Sequence, residues 1–270
     1  MQQTQLADLT DAYDHIYLSP HLDDAVLSCG GSIINQRSRG ERVLVITLCT
    51  AAPPPEGPFS ELAQEFHRFW ALPPEQVVAA RLDEDAAAMA RIGADYIWAG
   101  FLDAIYRRPD AYTTRESLFG TPVADDPLRP ALEGYIAEVR RRAPRAALYA
   151  PLGVGFHVDH QITHSAALAI AGDALTLYED FPYAMYAGAV ETRQSALTTP
   201  FQPHVVAIDT TLAPKIEAIA AYSSQIDELF RTEPMPQAVR AYHTRIAGAH
   251  GAAERIWRGS PAPQTYRVPQ

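Results

Sequence analysis

The segment 42–50 (RVLVITLCT) carries its apolar side chains on consecutive residues, not on alternate ones. A strand with one face in solvent alternates. One without alternation must be covered on both faces, as in the centre of a parallel sheet. Short apolar runs recur at His15–Ser19 (HIYLS), Asp95–Phe101 (DYIWAGF) and Ala147–Pro151 (ALYAP), with two further strands predicted at 175–179 and 205–209. Between them the 3.6-residue period predicts helices over 25–36, from a Ser60 cap to Trp70, and over 83–92, 131–142, Val158–Ala171, 212–223 and Met235–Ala247. Alternating strands and helices imply an α/β fold: a Rossmann-like, mostly parallel sheet with helices on both faces. The 270 residues suffice for one domain, 1–270, and contain no internal repeat. Residues 103–130 mix Tyr, Arg, Asp and Pro without a period. They read as a loop or insertion that shapes substrate choice through Tyr106, Arg107 or Arg108.

The net charge of -10 disfavours nucleic acid or an anionic membrane as a partner of the whole surface. The first residues have neither the basic start nor the apolar run of a secretory signal, and no stretch approaches a membrane span. Cys29 and Cys49 do not make a disulfide framework, and the expectation is two reduced, buried thiols in a cytoplasmic protein. Lys215 is the only lysine, and no Gly-Lys-Ser/Thr exists, which excludes a P-loop.

In open parallel sheets ligands bind at the carboxyl ends of the strands, so chemistry is sought just after each one. Two clusters stand there: Ser19-Pro20-His21-Leu22-Asp23-Asp24 after the first strand, and Phe156-His157-Val158-Asp159-His160 after the fourth. His21 and Asp24 lie three apart at the entry to a helix, where a tight turn can bring imidazole and carboxylate to one point. A third ligand from the second cluster would complete a set of three nitrogen and oxygen donors plus water, the arrangement of a catalytic zinc site. Asp23 would then be free to take a proton from the water. The alternative is that Asp23 and Asp24 merely cap the helix. The first cluster alone leaves the two readings balanced; the second tips them toward a metal.

With both clusters in view, SPHLDDAVLSCGG resembles the first signature of the PIG-L/LmbE-like de-N-acetylases, written PHPDDExLGCGG, and HVDH resembles their second, HPDH. Weaker similarities follow in order at Arg81 and Glu84, Phe101-Leu102-Asp103, Lys215, Tyr222-Ser-Ser-Gln225 and Ala253-Glu254. The resemblance implies that His21, Asp24 and His160 bind zinc, or another divalent ion such as Fe(II). It implies that Asp23 is the general base. His157 would stabilise the oxyanion and protonate the leaving amine, and Asp159 would hydrogen-bond His157 and hold its tautomer and charge. The activity implied is removal of acetyl from an N-acetylated amino sugar, a GlcNAc-type small-molecule conjugate, by attack of zinc-activated water. Leu22, Ala25, Ser28 and Val158 depart from the signatures, and Gly155 stands where some members carry a tyrosine.

Two other functions compete. A non-catalytic carbohydrate-binding protein on the same fold would have no need to keep all of His21, Asp23, Asp24, His157, Asp159 and His160. A nucleotide-binding enzyme would need a fuller glycine pattern than Gly153-x-Gly155 or Gly30-Gly31. His164 lies four after His160, but Gln161 follows His160, so the HExxH form is missing and His164 reads as a packed residue. Tyr178, Tyr183 and Tyr186 read equally as a sugar-site lining or as packing.

Overall fold

The computed structural model describes residues 2–70, 74–108, 110–249 and 251–259. In chain order the elements are β1 (His15–Ser19), α1 (Asp24–Ser38), β2 (Val43–Cys49), α2 (Glu61–Trp70), α3 (Pro74–Ile92), β3 (Asp95–Phe101), α4 (Ala104–Arg107), α5 (Arg115–Leu118) and α6 (Leu128–Arg142). There follow β4 (Ala147–Pro151), α7 (Val158–Ala171), β5 (Thr176–Tyr178), α8 (Ala189–Ser195), β6 (Phe201–Ala207), α9 (Leu212–Ile219), α10 (Ser223–Leu229), α11 (Met235–Ala247) and β7 (Ala253–Gly259).

The described strands form a seven-stranded sheet in the order β3-β2-β1-β4-β5-β7-β6. Every neighbouring pair is parallel except the two that involve β7. As the continuous apolar run of β2 requires, all its residues are buried. Helices flank the sheet in two groups: α1, α3 and α9 pack on one another, and α6 packs on α7. β1 pairs with β2 on one side and β4 on the other, Tyr17 lying opposite Val45 and Tyr149. The chain winds outward from β1 to β3, then returns to β4 on the other side of β1. The loops leaving β1 and β4 therefore diverge and open a crevice at their carboxyl ends. Both histidine-aspartate clusters begin on those two loops and run into the first turns of the helices that follow, α1 and α7.

Departures from the expected elements have local causes. The predicted strand 205–209 is Phe201–Ala207, and it contains Pro203. Proline cannot donate to a ladder, but β6 is an edge strand, where proline is tolerated. The predicted helix 212–223 stops at Ile219, and a new one begins at Ser223. There Glu84, from α3, accepts the Ser224 amide at 2.8 Å and both serine hydroxyls at 2.7 Å, a cap supplied by tertiary structure. α3 reaches back to Pro74, a residue compatible with a first helical turn. α8 and β7 have no counterpart among the predicted elements. Residues 103–130 hold α4, α5 and the start of α6. They pack Ala104, Ile105, Tyr112 and Leu118 with Leu62 of α2 and Val158 of α7 in a small core of their own. Among the described residues no helix is long and apolar enough to cross a membrane.

Candidate active site

The turn after β1 is built by Ser19. Its Oγ accepts the Ala25 amide at 3.0 Å and donates to the His21 carbonyl at 2.8 Å, so Ser19 does the capping that the alternative reading gives to Asp23 and Asp24. Asp23 stands at the helix entry, yet its side chain caps nothing, and its backbone is held at φ 157°, ψ -35°, a conformation L-residues rarely adopt. Asp24 turns back instead: its Oδ2 accepts the His21 amide at 2.8 Å and lies 3.3 Å from His21 Nδ1. The same Oδ2 is 3.3 Å from His160 Nε2, which arrives from α7.

The second loop is shaped by an aspartate the sequence reading passed over. Asp180, two residues after β5, accepts the amides of Gly153 and Val154 on Oδ2 at 2.8 and 2.9 Å, while Oδ1 lies 2.6 Å from His160 Nδ1. That contact aims His160 Nε2 at Asp24. The clue was available, since Asp180 also follows a strand at its carboxyl end. Gly153 and Gly155 both take φ 85° in this loop. A side chain at Gly155 would strike the Tyr183 ring, with Cγ at 2.7 Å from an added Cβ. Tyr183 thus occupies the space beside the position where some family members carry tyrosine.

The donor set fits a divalent cation. Ligands about 2.0–2.2 Å from a tetrahedral centre stand roughly 3.3–3.5 Å apart. Asp24 Oδ2 meets that spacing to a nitrogen of each histidine. His160 Nε2 is buried and has no hydrogen-bond partner among the described residues, as expected of a lone pair reserved for a metal. Each histidine has a carboxylate behind it on its other nitrogen: Asp180 on His160 and, at 3.2 Å, Asp159 on His21 Nε2. Such partners fix the tautomer of a ligating imidazole. His157 also offers a nitrogen within 4.8 Å of His21 and His160 donors. However, its Nδ1 already accepts the Asp159 amide at 3.2 Å, which favours the set with Asp24. A grouping of His21, Cys49 and Asp159 also exists, but Asp159 Oδ2 there is occupied by the Ala104 amide at 3.0 Å and by His21.

A family model for GlcNAc-PI de-N-acetylase (PIG-L) matches residues 16–171. The chain belongs to the PIG-L family. It is 31% identical to the 2'-N-acetylparomamine deacetylase of Streptomyces fradiae, over 92% of this chain and 90% of that one. Among solved structures, a zinc-inhibited form of teicoplanin deacetylase superposes with a TM-score of 0.77 at 28% identity, covering 93% of this chain and 99% of the other. The deacetylase of the A40926 pseudoaglycone gives 0.73 at 27% identity, over 93% and 100%.

On this PIG-L frame the charges are unevenly set. Burial would raise the Asp24 pKa, but His160 and His21 override it and hold the carboxylate well below its usual range. Burial, then the neighbouring Asp24 charge, push Asp23 up to about 7, against Arg81, whose Nη2 lies 3.8 Å away. Burial opposes charge on His160, but Asp24 and Asp180 raise it to about 9.

His157 and Asp159 depart from expectation. Burial, and next the charge of His21, hold the His157 pKa well below the ordinary histidine value. The Asp159 carboxylate does not reach the His157 ring. Its Oδ1 accepts from Arg107 Nη2 at 2.6 Å and its Oδ2 faces His21, so the arginine of α4 has claimed it. Arg107 in turn is clamped by Asp126 at 2.8 and 3.0 Å.

The site opens into a cavity of about 280 Å³. His21, Asp23, Asp24 and His157 line it together with Phe66, Phe119, Tyr183 and Tyr186, and with Arg115, Glu228 and Arg231. Segment 103–130 contributes Asp103, Ile105, Arg115, Leu118 and Phe119. The residues expected to do so are committed elsewhere: Tyr106 to His67 at 2.7 Å, Arg107 to the two aspartates, and Arg108 to Asp110 and Asp125. Tyr178 is packed, its hydroxyl donating to the Leu18 carbonyl, whereas Tyr183 and Tyr186 face the cavity.

Proposed function

We propose that this protein is a metal-dependent N-deacetylase that hydrolyses the acetamide of an N-acetylated amino sugar within a GlcNAc-type conjugate. The observation that carries the reading is Asp23: a buried carboxylate, excused from helix capping, beside three converging metal donors in an aromatic-lined cavity. The names of the family and of its antibiotic-processing relatives point to the same bond. Aromatic walls with a few fixed polar groups suit a sugar ring.

His21, Asp24 and His160 would hold zinc, or Fe(II), which supplies Lewis acidity toward the carbonyl oxygen and toward water when bound. Asp23 accepts a proton from the attacking water as the new C–O bond forms. Because Nδ1 of His157 accepts a backbone amide, its proton sits on Nε2, the nitrogen left for the cavity. Neutral His157 therefore donates a hydrogen bond to the developing oxyanion; it does not start as an imidazolium. Asp23 then returns its proton to the nitrogen as the C–N bond breaks, releasing acetate and a free amine. Asp159 and Asp180 act through the ligands His21 and His160, which they orient.

The test is acetate and free-amine release by zinc-loaded protein from N-acetylparomamine, from an N-acetylglucosaminyl glycopeptide and from simple N-acetylglucosaminides. At least one should turn over, and chelation should stop it. If none of these acetamides is cleaved, the reading fails.

A further inference from the structure

A second cavity, of about 400 Å³, shares no residue with the first. It lies between α7 and the segment joining α8 to β6. Arg193, His164, Ser165, Thr198 and Thr199 line it with Arg129 at its edge, and no Asp or Glu lines it among the described residues. We propose that this cavity is a binding site for a phosphate-type oxyanion.

Arg193 makes the case. It is 6% exposed and takes part in no ion pair among the described residues. Its Nε donates to the Leu152 carbonyl at 2.8 Å, and its guanidinium lies over Gly153, where an added Cβ would meet Nη2 at 2.9 Å. Its terminal nitrogens have no acceptor among the described residues. A guanidinium cannot shed its proton to escape burial, so it stays charged; the Phe156 ring, 5.7 Å from its Cζ, offers a π face but no anionic acceptor, and the terminal nitrogens are left to whatever fills the cavity. Asp180 is the nearby carboxylate that acts on it, but both Asp180 oxygens are spent on His160, Gly153 and Val154. An anion entering the cavity is the remaining counter-charge, and a planar fork suits a phosphoryl group.

The other walls refine the ligand. Thr198 and Thr199 bring hydroxyl donors. His164 Nδ1 lies 3.1 Å from the Pro151 carbonyl, so the proton is there and Nε2 is left as an acceptor. Burial, then the charge of Arg193, keep this imidazole neutral. An acceptor beside a cation favours an oxyanion that keeps one O–H, as hydrogen phosphate or a phosphomonoester near its second pKa does and sulfate does not. Leu168, Leu197 and Phe201 add apolar wall, which leaves room for more than the phosphoryl group itself.

The test is calorimetric titration of the zinc-loaded protein at fixed ionic strength with inorganic phosphate, a hexose phosphate and sulfate. Saturable binding of phosphate or hexose phosphate is expected, the tighter of the two marking free phosphate or a sugar phosphate as the source. Sulfate should bind at least tenfold more weakly, and Arg193→Gln should lose at least tenfold. The pair Thr198→Val with Thr199→Val, in which Thr198 is exposed and Thr199 half-buried, leaves the core untouched and should weaken binding severalfold. Absence of saturable binding by either phosphate overturns the proposal. So does binding unchanged in Arg193→Gln and in the threonine pair, which would put the phosphate at the metal centre instead. Sulfate binding as tight as phosphate would overturn the part assigned to His164.

Discussion

Helix α1 touches two buried charged clusters, and they differ in one respect. In its middle, Glu254 accepts the amides of Gly31 and Ser32 at 2.9 and 2.8 Å and the Lys215 ammonium at 2.7 Å. Gly30 and Gly31 let this pair approach, since an added Cβ would stand 3.2 Å from Lys215 Cγ at Gly30 and 3.0 Å from Glu254 Oε1 at Gly31. Lys215 and Glu254 are both almost fully buried, and Glu254 has a donor on each oxygen. At the start of the same helix, Asp24 faces two imidazoles at the spacing of a coordination shell, and His160 Nε2 makes no hydrogen bond among the described residues. A satisfied buried cluster holds structure; an unsatisfied one is waiting for a ligand. This contrast is why Lys215 and Glu254, which also lie in the stretch resembling the family, are assigned to the fold and not to the chemistry.

The comparison can be broken in several ways. The largest effect is expected for Asp23→Asn, which keeps the shape but cannot accept a proton: turnover should fall by about 10²–10⁴-fold with metal content unchanged. Wild-type turnover in that variant would return Asp23 to the role of a helix-entry residue. Next is Lys215→Met, which leaves Glu254 buried without its counter-charge. Breaking a buried pair costs about 3–5 kcal/mol, read as a lowered denaturation midpoint, while zinc stoichiometry in the folded protein stays at one. Loss of zinc from a folded Lys215→Met protein would merge the two clusters into one system. Smaller still is Asp180→Asn, which loosens the hold on His160. A competition titration with a chelator should show roughly 10–100-fold weaker zinc binding. Equal affinity would mean that Asp180 serves only the Gly153 loop.

Much of this was legible in the residues, and the parts that were not share a cause. β1, β3, β4, α7 and α11 have the bounds their patterns predict, because burial on a regular face writes itself as a period. The position of His21, Asp24 and His160 at the carboxyl ends of β1 and β4 follows from the parallel topology. What sequence spacing cannot carry is the choice among partners distant along the chain. Asp159 sits two residues from His157, yet Arg107, fifty-two residues away, takes its carboxylate. Asp180 is twenty residues from His160 and orients it. The start of α10 depends on Glu84, one hundred and forty residues away from Ser224. Each of these is a tertiary decision made by an arginine or a carboxylate whose reach no local pattern reveals.

The central claim is that Asp24, His21 and His160 form one metal shell. Its most direct test is the zinc content of His160→Ala, measured after stripping the folded protein and dialysing it against one equivalent of zinc beside the wild type. The account predicts one zinc per wild-type chain and nearly none in the variant. Full zinc occupancy in a folded His160→Ala protein would contradict it.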